Sequence, residues 1–152
     1  AFRTGLAVSA STAIDDWTVT SPYYTGAGFN AATGVFTVPA TGRYSIAATI
    51  NYNTTVAISV TIGSADPAFV VRRITPTTDA LVSGLWPVLD LNVALVLTIR
   101  AILGNGIVTL AGEVELNQND TVALFYNSDG LTLTLDLGGP GSGIVWSMHR
   151  LT

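Results

Sequence analysis

The stretch from Phe29 to Tyr52, FNAATGVFTVPATGRYSIAATINY, constrains this chain more than any other. Thr33-Gly34 and Thr41-Gly42 are turn signals and Pro39 cannot donate to a ladder, so Val35 to Val38 is a short extended piece between two bends. After Gly42 the pattern becomes an alternation. Tyr44, Ile46, Ala48 and Ile50 share one face, with Arg43, Ser45, Thr49 and Asn51 on or near the other. That period belongs to a long, half-buried strand. Ala47 on the outer face is small, which suits a face that is covered rather than fully wet.

Size and composition set the next limits. The chain has 152 residues, enough for one domain spanning 1–152 with a real core. Hydrophobic residues make up 49% and charged residues only 11%, far below the usual quarter for a soluble monomer. Association of identical copies explains that surplus, because a permanent interface resembles a domain core cut in half. All six basic residues are Arg and the formal charge is -4, so there is no basic stripe for phosphates and no nucleic-acid partner is expected. Cysteine is absent, which removes disulfides and thiolate metal sites. The opening at Ala1, without Met or a signal peptide, is what an excised domain or a mature product would show.

Taken in order, the chain reads as strands. Ala1 to Ser9 carries Phe2, Leu6 and Val8 on one face, and Trp17 to Tyr24 reads as an edge strand interrupted by Pro22. Val56 to Ile62 alternates cleanly, and Phe69 to Ile74 is a strand in which Arg72 and Arg73 point to opposite faces. One arginine then lies on the covered side, or the strand is at an edge. The run from Leu85 to Leu103 is apolar, yet it holds Pro87, Asp90, Asn92 and Arg100. Each charge at mid-bilayer would cost about 2.5 to 3.5 kcal/mol, so two sheet-buried strands are expected there and no membrane span. Gly104-Asn105-Gly106 signals a hairpin. Strands follow over Ile107 to Leu116, Val122 to Tyr126 and Leu131 to Leu137, then a glycine-rich bend and a closing strand, GIVWSMHRL.

The inventory for chemistry is thin. His149 is the single histidine, and without a second His, a Cys or a nucleophile elbow no triad assembles, so no catalytic residue is assigned and the chain reads as a non-enzyme. Glu113 and Glu115 project from one side of a strand, about 6.5 to 7 Å apart by strand rise, within the general range of glycosidase carboxylate pairs. On an open sheet face such a pair is usually solvated surface, although near a threefold axis it would be a candidate ligand or cation contact. Asn53 and Asn119 begin Asn-x-Thr sequons and read as turn asparagines. Trp17, Tyr23, Tyr24 and Trp86 read as rim aromatics that pack, with a platform for a sugar or a partner as the other reading.

The order Phe29-Asn30, Thr33-Gly34, Phe36, Pro39, Gly42, Tyr44 resembles the signature of the C1q globular-head family, part of the C1q/tumour necrosis factor superfamily of jelly rolls. Leu116 to Val122 is similar to that family's L-x-x-G-D-x-V turn, with Asn119 in place of Gly, a mild change because Asn tolerates the left-handed region. The departures are Ile46 and Ala48, where vertebrate members usually have aromatics. The resemblance implies an all-β, two-sheet jelly-roll sandwich of about ten strands, assembled as a homotrimer on a collagen-like or coiled stalk, with a surface ligand that is protein or carbohydrate. In the family the sheet with the first, signature and last strands faces the threefold axis. Carried onto this chain, that nominates Phe2, Tyr44, Phe125, Tyr126, Trp146 and Met148 as trimer interface or inter-sheet core. No organic cofactor is implied. Calcium, bound by some members, would have Asp15, Asp16 and Asp129 as loop ligands. The composition looks most like bacterial relatives on spore exosporia, an extracellular setting. A phage or viral fibre head, and a carbohydrate-active jelly roll using Glu113 and Glu115, are the alternative readings.

Overall fold

Alternation and turn chemistry build fourteen strands, and no helix, among the described residues. The computed structural model describes residues 1–54, 66–85, 88–93, 97–102, 104–130, 134–139 and 142–152, with 88–93 and 97–102 taken at the level of the backbone. The strands are β1 (Phe2–Arg3), β2 (Leu6–Val8), β3 (Thr12–Ala13), β4 (Phe29–Asn30), β5 (Val35–Thr37), β6 (Gly42–Thr54) and β7 (Ala68–Thr75). They continue with β8 (Asp79–Leu85), β9 (Val88–Val93), β10 (Leu97–Ile102), β11 (Asn105–Leu116), β12 (Thr121–Asn127), β13 (Leu135–Leu137) and β14 (Ile144–Arg150). The expected strand over Val56 to Ile62, the side chain of Trp86 and residues 131–133 fall outside the described residues.

Two antiparallel sheets face each other. In the first, β6 is the spine, paired with β11 along one edge and with β14 and then β13 along the other, while β1 and β2 add the outermost row. The second runs β4-β5-β12-β7-β8, with β3 also on β12. Tyr44, Ile46, Ala48, Ile50 and Tyr52 of β6 are all buried against Phe69, Val71, Val122, Leu124 and Tyr126 of the second sheet in one core cluster.

The signature residues each do local work. Asn30 Oδ1 accepts the N–H groups of Ala32 (3.1 Å) and Thr33 (3.3 Å), closing the turn that Gly34 completes at φ +70°. A Cβ on Gly34 would sit 2.2 Å from the Ile14 carbonyl oxygen, so both backbone angle and space demand glycine. Val38 then exchanges main-chain bonds with the distant turn, donating to Asp120 O (2.8 Å) and accepting from Asn119 N (2.9 Å). Asn119 is left-handed at φ +71°, as its place in the turn motif requires. Tyr44 Oη donates to Ala40 O at 2.6 Å, tying the strand back to the bend before it. Gly42 leaves room for the chain terminus, since a Cβ there would lie 2.1 Å from Thr152 O.

Several expectations are corrected. Trp17 to Tyr24 forms no strand; only Thr18 bridges Phe2. Gly104-Asn105-Gly106 is a corner rather than a hairpin, because β10 pairs with β9 and β11 with β6. The apolar run does make two strands, but β9 and β10 form a separate two-stranded sheet, with Asp90 opposite Arg100. Asn53 lies within β6 rather than in a turn. β7 is an interior strand, and its register with β8 shifts between Val71 and Arg72, just before the two arginines. Arg72 lies over the Phe125 ring at 4.9 Å, whereas Arg73 reaches Asp79 and the buried Asp120. Asp79 is held below the usual carboxylate range by hydrogen bonds from Arg73 and Thr77.

Replacing Gly34 with Ala should destabilise the fold by about 2 to 3 kcal/mol, from a strained left-handed angle and a backbone clash. Urea unfolding reads this directly, and a loss under about 0.5 kcal/mol would contradict the account of the turn. Burial pushes the Tyr126 phenol up to about 12. The folded state therefore favours the neutral phenol, and this contribution is intact below about pH 10 and lost as pH rises towards 12. Tyr126→Phe should flatten the fall in stability across that window; an unchanged alkaline profile would show that another group governs it.

Candidate functional site

Two exposed features of the first sheet stand out, a flat face and a cleft at its rim. The face follows from alternation on three neighbouring strands. β6 presents Ala47 and Thr49, β11 places Ala111 and Thr109 directly opposite them, and β14 places Ser147 and Val145 on the other side. These side chains are small and uncharged. Ile107, 64% exposed, and Val145, 38% exposed, are the largest apolar groups on it. One end of the face is ionic, where Arg43 bonds Glu113 at 2.6 Å and Glu115 stands opposite Arg43 in register.

The cleft, about 380 Å3, opens between the C-terminal half of β14 and the segment from Pro22 to Ala27. Phe29, Phe36, Tyr44, Trp146 and Met148 form its inner wall and Tyr23 and Tyr24 its lip. Both sides are fixed by packing. Trp146 is held between Phe29 at 5.9 Å and Trp17 at 6.2 Å, and the Tyr23 ring is stacked on Phe2, 4.6 Å between centroids and 5° between planes. Tyr24 extends into solvent, 70% exposed.

The nominated residues separate into three places. Tyr44 and Trp146 of the first sheet and Tyr126 of the second are buried between the sheets, Tyr126 against Phe69 at 5.7 Å. Phe2 and Met148 are half-buried at the rim of the first sheet, beside the cleft or its lip. Phe125 is on β12, on the opposite side of that strand from Tyr126, beneath Arg72. The small residues of the flat face were missed by reasoning from large side chains. Their signal was Ala47 at an outward position, and Ala111 and Thr109 repeat it.

The carboxylates are dispersed. Arg3 lies 3.5 Å from Asp15 and 3.7 Å from Asp16, and Asp129 accepts the Asp66 N–H at 2.9 Å. Among the described residues no group of three or more His, Asp or Glu side chains is placed to hold a metal ion. Glu113 and Glu115 are exposed on the open face, outside the cleft, and His149 lies at the cleft rim without a carboxylate in its lining. Trp17 is buried, its Nε1–H donating to Ile14 O at 2.8 Å, so it belongs to the core rather than to a surface platform.

No protein-family model matches the chain, and no curated protein matches it. Among solved structures it is similar to the Eiger tumour necrosis factor of S. frugiperda, at 17% identity and a TM-score of 0.57, over 99% of this chain and 90% of that one. The globular domain of the zebrafish complement 1qA protein is also similar, at 10% identity and a TM-score of 0.49, over 99% of this chain and 96% of that one. The protein thus has an all-β, two-sheet jelly-roll fold of the kind seen in that tumour necrosis factor.

Proposed function

We propose that the protein is a non-enzymatic head domain that forms a homotrimer, caps a collagen-like or coiled stalk and mediates recognition or assembly at an extracellular surface, such as that of a bacterial spore. The observation that carries this reading is the flat face of β11, β6 and β14. A solvated sheet face normally alternates apolar-in with charged-out, whereas here the centre of the outer face carries Ala47, Ala111, Thr49, Thr109, Val145 and Ser147. Small side chains let a neighbouring protomer approach closely, and burial of apolar area returns about 25 cal/mol per Å2. Covering that face three times also accounts for a composition with 49% hydrophobic and only 11% charged residues.

The carbohydrate-active alternative has less support. Glu113 is engaged by Arg43, both side chains are more than half exposed, and neither glutamate lines the cleft. A glycosidase pair needs one carboxyl in an environment that keeps it protonated.

Light scattering should give a mass near three chains, and a monodisperse monomer at micromolar concentration would refute the assembly. Ala111→Arg should place three cations on the shared face and release folded monomers, with the far-ultraviolet signature of the sheet unchanged. A folded variant that remained trimeric would mean that another face holds the copies together. Replacing Glu113 and Glu115 together with Gln should change stability by less than about 1 kcal/mol, the scale of an exposed ion pair. Loss of a glycoside-hydrolysing activity with ligand binding intact would instead favour the enzyme.

A further inference from the structure

The chain contains a single histidine, and the fold places it on the flat face. His149 lies two residues beyond Ser147 on β14 and so projects to the side of Ser147 and Val145. In register it stands opposite Ser45 of β6, and Ser45 stands opposite Glu113 of β11, so one row across the sheet reads His149, Ser45, Glu113. The next row holds Arg43 and Glu115, with Arg43 reaching back to Glu113 at 2.6 Å. This end of the face therefore carries two carboxylates against one guanidinium, an excess of one negative charge that a proton on the imidazole cancels. The remaining charged and titratable groups around His149 face elsewhere. Arg150, the next residue, turns to the other side of β14 and donates to Thr41 O at 2.8 Å. Tyr23 and Tyr24 across the cleft carry no charge near neutrality. The amino group of Ala1 is held at Trp146 O, 3.0 Å away on the strand edge, and Asp136 lies at the far end of the face, opposite Asn53.

We infer that His149 makes the assembly pH-sensitive, tightening the contact between copies at the flat face as pH falls from about 7.5 to about 5.5. In a separated protomer, water and salt weaken the attraction between His149 and Glu113, whose strands lie two apart, about 9.6 Å across the sheet and about one Debye length at 0.1 M salt. Covering the face expels that water, so the same attraction strengthens. The uncompensated carboxylate also becomes costly there unless a cation answers it. Association then takes up protons, and an equilibrium that takes up protons is driven forward by acid. Each copy brings its own imidazole, so the effect is multiplied threefold in a trimer. The window stops above the range in which carboxylic acids ordinarily titrate, which leaves the histidine as the side chain that changes charge. The inference deepens the assembly proposed above and rests on that reading for the shared face.

The test mixes isotopically heavy and ordinary protein at constant ionic strength and follows the exchange of chains between assemblies by native mass spectrometry, with sedimentation velocity giving the mass at each pH. Exchange should slow by about tenfold or more between about pH 7.5 and about pH 5.5. His149→Gln, an exposed substitution that leaves the far-ultraviolet signature of the sheet unchanged, should exchange at one rate across the window. Glu113→Gln combined with Glu115→Gln should reverse the response, because the face then holds Arg43 and an imidazolium with no carboxylate, and acid should speed exchange. A wild-type rate that is unchanged or faster in acid would overturn the switch. So would a His149→Gln variant that keeps the wild-type response, which would assign it to the amino group of Ala1. A monomer at every pH removes the assembly and the switch together, whereas a trimer indifferent to pH keeps the assembly and removes the switch alone.

Discussion

The structure depends on β6 being paired along both edges while burying one face. Its thirteen residues run from the Gly42 bend to Thr54, with β11 on one side and β14 and β13 sharing the other. A strand in that position has no freedom of register, since a slip of one residue would turn Tyr44, Ile46, Ala48, Ile50 and Tyr52 out of the core. The five buried side chains therefore fix the first sheet, and the second packs onto them.

That constraint passes outward through a few polar contacts. Val38 locks the piece before β6 to the Asn117–Asp120 turn, and Asp120, 3% exposed, accepts the Asn117 N–H at 3.0 Å while facing Arg73. A buried carboxylate without such partners would be costly. The turn thus joins β5, β11, β12 and β7, elements far apart in sequence, at one end of the sandwich. At the rim, packing among Phe2, Tyr23, Phe29, Trp17 and Trp146 shapes the cleft as a by-product of closing the core. What the first sheet leaves exposed is a face without charge at its centre.

Local signals were legible where one residue type answers one local need. Asn30 and Gly34 close a turn, Asn119 takes a left-handed angle, and alternation along β6 and β11 separates buried from exposed positions. Signals that depend on a distant partner were less legible. Gly104-Asn105-Gly106 states that the chain bends but not that β11 leaves β10 to pair with β6. Adjacent Phe125 and Tyr126 must face opposite ways, yet only the packing shows Tyr126 inside and Phe125 beneath Arg72. Trp17 looked like a rim aromatic because its polar neighbours are exposed, while the ring itself is buried against Trp146.

By itself the sequence determined the all-β character, the turn positions, the inward residues of the longest strands and the shortage of catalytic groups, because periodicity, φ preference and residue inventory are properties of the chain alone. The tertiary structure decided which strands are neighbours and where the small outward residues of β6, β11 and β14 gather into one face. Those outcomes depend on contacts between residues up to 145 positions apart, such as Ala1 with Trp146, and no local pattern encodes who the partner is.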